Sequence, residues 1–177
     1  MEQVFAPWRI EWVERDDRGG DDCVFCAFAK GDEDRENRVV ARSEHAFVLL
    51  NNYPYNPGHV MVIPDRHTGK YTELSESELL NHAQLKQRTL RAVEAAFSPD
   101  GINLGYNFGQ GAGGSITDHL HAHVVPRWEG DTNFMPVISE TKVVVEAIGE
   151  SYDRLYESFG DLDGAHEIGS KGAVQFR

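Results

Sequence analysis

With 177 residues the chain has room for one domain with its own core, and no second domain need be assumed. Apolar residues make up 40% and charged residues 26%, and no run of about 18 apolar residues is present, which excludes a helical membrane span. Lys and Arg number 17 against 29 Asp and Glu, a net charge of -12 whose mean field repels phosphate backbones and argues against non-specific nucleic-acid binding. The same imbalance keeps a chain hydrated in concentrated salt, where repulsion is screened within about 3 Å at 1 M ionic strength.

Residues 1–37 read as an N-terminal arm. Apolar Phe5, Trp8, Ile10, Trp12 and Val13 give way to a charged, glycine-containing stretch from Glu14 to Asp22. Met1 to Trp8 lack the basic stretch, apolar core and small-residue cleavage site of a secretory signal, so a cytoplasmic location is expected. Val39 to Arg42 and Ala46 to Leu50 are predicted strands, followed by a turn-rich piece from Asn51 to Gly58 with Pro54 and Pro57. His59 to Ile63 has the β-branched composition of a buried strand, which Pro64 ends.

Ser75 with Glu78 three residues on marks a capping-box helix start, and Leu79, Ala83, Leu90, Val93 and Phe97 recur at helical spacing behind it. Ser98-Pro99-Asp100-Gly101 stops this helix. Ile102, Leu104, Tyr106 and Phe108 alternate as a half-buried strand, and a glycine-rich loop from Gly109 to Gly114 leads to a further strand from His119 to Val125. Val144, Ile148, Leu155 and Phe159 define the stripe of a second helix, and the polar tail from Gly160 to Arg177 is expected to be peripheral or disordered. The order of elements predicts an α+β domain with a mostly antiparallel sheet, its core at 38–136 and a C-terminal helix and tail at 137–177.

Three of the eight histidines fall at His119, His121 and His123. In a strand such an alternation places all three imidazoles on one face, where they can serve as a metal site or as a nucleophile with its helpers. The only two cysteines, Cys23 and Cys26, stand at a Cys-x-x-Cys spacing that reads as metal ligation or redox chemistry, with two ligands missing locally. The glycine-rich loop offers backbone N–H groups to phosphate oxygens but lacks the Gly-Lys-Ser or Gly-Lys-Thr ending of a Walker A element.

The run His119 to Val125, with Asn107-Phe108-Gly109, Gly114-Ser115 and Gly58-His59 before Val60 to Pro64, resembles the histidine triad (HIT) family over about Cys23 to Trp128. Within it, Asn51 to His59 and Pro126 to Pro136 are most similar to the diadenosine tetraphosphate phosphorylase branch. The resemblance implies a HIT-like fold and a nucleotidyl group carried covalently on His121, whose second ring nitrogen is held by a main-chain carbonyl. It implies phosphate contact and leaving-group support from His123. Substrate contacts follow at Asn51, His59, Asn107, Gly113, Gly114, Ser115 and Trp128, with Asn51 at the ribose position. It also implies structural zinc on Cys23, Cys26, His67 and His119, no organic cofactor, and a homodimer or higher homo-oligomer. Phosphate and water both remain open as acceptors. An adenosine phosphoramidate hydrolase and a nucleotide-binding module without turnover remain as alternatives.

Overall fold

A computed structural model describes residues 23–114, 116–131, 147–166 and 172–177. The expectations for the segment before Cys23, for Ser115, for Val144 and for the Thr132 to Pro136 stretch lie outside the described residues. The strands are β1 (Val39–Arg42), β2 (Ala46–Leu50), β3 (Val60–Pro64), β4 (Gly101–Tyr106), β5 (Ala122–Arg127), β6 (Ala165–His166) and β7 (Val174–Phe176). The helices are α1 (Val24–Lys30), α2 (Asp34–Asn37), α3 (Glu76–Phe97) and α4 (Ile148–Gly160). The strands form one sheet in the order β4-β5-β3-β2-β1-β7-β6, antiparallel except for the parallel pair β1 and β7. The fold is α+β, as expected, and among the described residues no helix is long and apolar enough to cross a membrane.

The central strands are apolar at every position because both sheet faces are covered. In β2, Ala46, Val48 and Leu50 enter a core shared with α3 and α4, while Phe47 and Leu49 enter a second core shared with α1. In β3, Val60 and Val62 face the helices while Met61 and Ile63 face α1. Alternation of side chains across a pleated strand turns this two-sided burial into a continuous hydrophobic run.

Helix α3 begins where the capping box predicts. Ser75 Oγ accepts from Glu78 N–H at 3.3 Å and Glu78 Oε2 accepts from Ser75 N–H at 2.7 Å, which satisfies two otherwise orphaned donors. It ends at Ser98, in the left-handed region at φ 46°. The buried stripe differs from the expected one: it runs through His82, Leu85, Thr89, Ala92, Val93 and Phe97, whereas Ala83 is exposed and Leu79 and Leu90 are half-buried. The polar members are tolerated because each has a main-chain partner. His82 Nε2 donates to the Val62 carbonyl of β3 at 3.1 Å, and Thr89 Oγ1 donates to Leu85 O at 2.7 Å.

Two further departures concern the chain ends of the sheet. The tail is not peripheral: β7 pairs with β1 and buries Ala173, Val174 and Phe176, a short apolar alternation that covers the β1 edge. The strand expected from His119 starts later, at Ala122, because residues 119–121 make bonds off the sheet. Leu120 N–H donates to Thr68 O at 2.7 Å, and the rings of His119 and His121 bond main-chain carbonyls. The three imidazoles therefore do not line one flat strand face.

A buried ion pair fastens α1 to the sheet. Arg42 bonds Asp34 through Nε at 2.9 Å and Nη2 at 2.5 Å and also donates to the carbonyls of Phe28, Ala29 and Gly31 at the end of α1. Asp34 Oδ2 accepts from Ala173 N–H at 2.8 Å, so one carboxylate links α2, β1 and the start of β7.

Burial lowers the pKa of His82 from its ordinary 6.5 to about 4. The unfolded chain therefore takes up a proton that the folded chain refuses as pH falls through this window, and stability present above 6.5 is lost toward 4. At about 1.4 kcal/mol per unit the loss is on the order of 3 kcal/mol. Replacing His82 by Met, which fills similar space and does not titrate, is expected to flatten the acid limb of a stability–pH curve by about one proton. An unchanged slope would contradict this assignment.

Candidate active site

Cys23 and Cys26 lie at the start of α1, one turn apart, so their thiols emerge on the same side. His67 follows β3, and His119 precedes β5. Their two segments are locked together by the Leu120 N–H bond to Thr68 O and by Gly69, where any Cβ would lie 2.3 Å from Thr117 O. The ligand atoms of Cys23, Cys26, His67 and His119 all lie within 4.8 Å of one another. Cys23 Sγ is 3.3 Å from His119 Nδ1, Cys26 Sγ is 3.2 Å from His67 Nδ1, and Cys26 Sγ is 3.7 Å from His119 Nδ1.

Those spacings fit a tetrahedral ion. Bonds of about 2.3 Å to sulfur and 2.0 Å to nitrogen set S···N edges at roughly 3.5 Å. The His119 ring is already in the ligating tautomer: Nε2–H donates to Pro64 O at 2.8 Å, which leaves the Nδ1 lone pair facing the thiols. Burial lowers the His119 pKa, which favours the neutral ring that a metal ligand requires. Burial, then the neighbouring Cys23, raise the Cys26 pKa, and a dication at the centre would reverse that direction.

The other two histidines of the run sit beside this group. His121 Nδ1 is 2.9 Å from the His119 carbonyl oxygen. A carbonyl only accepts, so Nδ1 carries a proton, and in the neutral ring Nε2 holds the lone pair. The rings of His121 and His123 are 4.9 Å apart between centroids. Phe25, between the two cysteines, touches both sites, with its ring centroid 5.4 Å from that of His119 and 5.4 Å from that of His121. His59 is fully buried and reaches His123, Nε2 to Nδ1, at 3.0 Å, so it lies behind His123 rather than at a surface where a phosphate could meet it. Tyr55 stacks on His59 at 5.0 Å.

The remaining expected residues divide. Asn51 Oδ1 accepts from Tyr53 N–H at 2.9 Å, closing the turn, and the Asn51 amide nitrogen lies 3.4 Å from both ring nitrogens of His59. Gly114 packs so close to Asn107 that a Cβ on it would lie 3.2 Å from Asn107 Cβ, and Gly113 beside it has φ 79°. The glycine loop and Asn107 are thus brought together. Trp128 packs half-buried against the helix-side core. Asp131 ties the 51–58 turn to the end of β5 through Arg127 Nε at 2.6 Å and Asn56 Nδ2 at 2.7 Å, and its pKa falls to about 2, chiefly through Arg127. Phe25 and Tyr55 carried no motif of their own. Their only sequence signal was position, inside the cysteine pair and four residues before His59.

The HIT domain profile matches residues 33–130, more than half of the chain. The chain belongs to the HIT family. It is 42% identical over 118 residues to an AP-4-A phosphorylase of Mycobacterium tuberculosis, a match covering 67% of this chain and 60% of that protein. It is 33% identical over 97 residues to a bis(5'-adenosyl)-triphosphatase of Dictyostelium discoideum, covering 55% of this chain and 64% of that one. Among solved structures, a Zn-bound histidine triad family protein from Mycobacterium smegmatis superposes with TM-score 0.64 at 30% identity, covering 80% of this chain and 95% of that one. The HIT profile spans the 51–59 turn, the glycine loop and the histidine run, and stops just short of Asp131.

The Cys23, Cys26, His67 and His119 group is expected to take up one divalent ion per chain. Titrating metal-stripped protein with cobalt(II) should give an intense thiolate charge-transfer band that saturates near one equivalent and is lost in Cys26→Ser. A spectrum with only weak ligand-field bands would contradict this geometry.

Proposed function

We propose that this HIT protein cleaves dinucleoside polyphosphates, such as diadenosine tetraphosphate, through a nucleotidyl group bound covalently to His121. The observation that carries the reading is the His121 Nδ1–H bond to the His119 carbonyl, because it directs the lone pair to the opposite nitrogen. In the first step the Nε2 lone pair attacks the α-phosphorus. The bond to the bridging oxygen breaks, and its electron pair leaves with the polyphosphate. His123 donates a hydrogen bond or proton to the departing group. In the second step an acceptor oxygen attacks the same phosphorus and the P–N bond breaks.

Charge grows on the phosphate oxygens in both steps. Backbone N–H groups of Gly113 and Gly114, the amide of Asn107 and the Ser115 hydroxyl are the proposed donors to them. Asn51 is the proposed ribose contact. The names of the relatives support both acceptors, phosphate through the AP-4-A phosphorylase and water through the triphosphatase. Phosphate is the first choice, on the higher identity.

The proposed ion is zinc, which suits two thiolates and two imidazoles in a closed tetrahedron. Bound, it would supply no chemistry to the reaction; it would hold α1, and with it Phe25, against His119 and His121. Both cysteines are free thiols, which fits a reducing compartment such as the cytoplasm. A homodimer is proposed from the edge strand β4, where Leu104 is 47% and neighbouring Phe108 is 52% exposed. Sedimentation at micromolar concentration should give twice the chain mass, and Leu104→Glu should shift it to monomer. A monomeric parent would overturn this.

Incubation with diadenosine tetraphosphate is expected to yield ATP and ADP only when inorganic phosphate is present. AMP and ATP without phosphate would make the protein a hydrolase. His121→Ala is expected to lose at least about three orders of magnitude in rate, and His123→Ala about two. Turnover unchanged in His121→Ala would refute the covalent route, and intact nucleotide affinity with no turnover in the parent protein would favour a binding module.

A further inference from the structure

His59 is 0% exposed and both of its ring nitrogens face polar partners, one of which can only donate. The backbone N–H of Tyr55 points at Nδ1 from 3.0 Å. That group can only donate, so Nδ1 must be the lone-pair nitrogen. A neutral imidazole then carries its proton on Nε2, and His59 Nε2 lies 3.0 Å from His123 Nδ1. A doubly protonated His59 would set two N–H groups against each other at Nδ1, inside a site that already disfavours charge. The ring plane is fixed by Tyr55, which stacks on it at 13°. The Asn51 amide nitrogen is 3.4 Å from both ring nitrogens, longer than the 3.0 Å contacts that Tyr55 N–H and His123 make with them.

The consequence passes to the next ring. His59 Nε2–H donates to His123 Nδ1, so His123 Nδ1 is an acceptor and the His123 proton sits on Nε2. His121 carries the opposite arrangement, because its Nδ1 faces a carbonyl instead of an N–H group. We propose that His59 is a positioning residue that fixes His123 as a hydrogen-bond donor through Nε2, so that two adjacent imidazoles present opposite nitrogens and are sorted into nucleophile and donor. The role given to His123 rests on the proposed function; the tautomer does not. Donation from a neutral ring matches the demand on a group that must support a leaving oxygen while its neighbour stays unprotonated.

The test reads the tautomers directly. Metal-loaded full-length protein labelled with 15N-histidine would be examined by two-bond 1H–15N correlation at about pH 8, above the ordinary imidazole range. Signals would be assigned through His121→Gln and His123→Gln. The parent protein is expected to show His123 as the Nε2–H form and His121 as the Nδ1–H form. His59→Met, which fills the space without a donor, should give His123 a mixture of forms, and His59→Gln, whose amide N–H reaches a similar point, should restore the single form. On diadenosine tetraphosphate, His59→Met should lower kcat by about tenfold or more with KM changed less than about twofold, and His59→Gln should recover most of it.

A parent spectrum with His123 as the Nδ1–H form overturns the proposal with no variant needed, so a failure of His59→Met to fold leaves it testable. A His123 tautomer unchanged in folded His59→Met overturns it as well. Because the spectrum needs no substrate, a protein inert toward dinucleoside polyphosphates would refute the functional reading and still answer the question about His59.

Discussion

His119 serves two sites through two different parts of the residue. Its ring gives Nε2–H to the Pro64 carbonyl and turns Nδ1 toward the cysteines, while its own carbonyl receives Nδ1–H from His121. The orientation of the His121 lone pair therefore depends on a peptide group whose position is set by the His119 ring. A carbonyl acceptor selects one of two imidazole tautomers that are close in energy in water, and selecting it in advance would remove a reorganisation step from the proposed attack on phosphorus. The main-chain irregularity that keeps His119 and His121 out of strand β5 is what allows this bond: in a regular strand the same carbonyl would be directed along the ladder.

The rest of the fold keeps that peptide in place. Two-sided burial of β2 and β3 makes the sheet a rigid floor, and the Arg42–Asp34 pair pins α1 across its open face. From there Phe25 presses on both His119 and His121. The site is thus assembled from segments far apart in sequence, the cysteine helix, the turn after β3, the 51–59 turn and the histidine run.

Much of this was legible in the sequence. β1, β2 and β3 showed themselves as apolar runs between turn residues, and the Ser75 and Glu78 pair located the start of α3 to the residue. Resemblance to the HIT family paired His67 and His119 with the cysteines, and the four ligand atoms do converge. What escaped were the polar residues of α3 that are buried with a main-chain partner. His82 and Thr89 look like surface residues to a hydrophobic period, but the Val62 and Leu85 carbonyls satisfy them inside the core. Likewise the tail from Gly160 was read from its mean polarity, which hides the Ala173 to Phe176 alternation that joins the sheet. The contact of His59 with His123 and the packing of Trp128 against the helix-side core depend on tertiary placement that no local pattern announces.

The central claim is that a neutral imidazole at position 121 bonds to phosphorus during turnover. Mass spectrometry of protein mixed with diadenosine tetraphosphate and quenched in alkali, which preserves phosphoramidates, tests it most directly. The account predicts an adenylyl mass increment confined to the peptide carrying His121, absent from His121→Ala and lost when phosphate is added before the quench. An increment on a different residue, or substrate turnover by the parent protein with no adduct at any quench time, would contradict it.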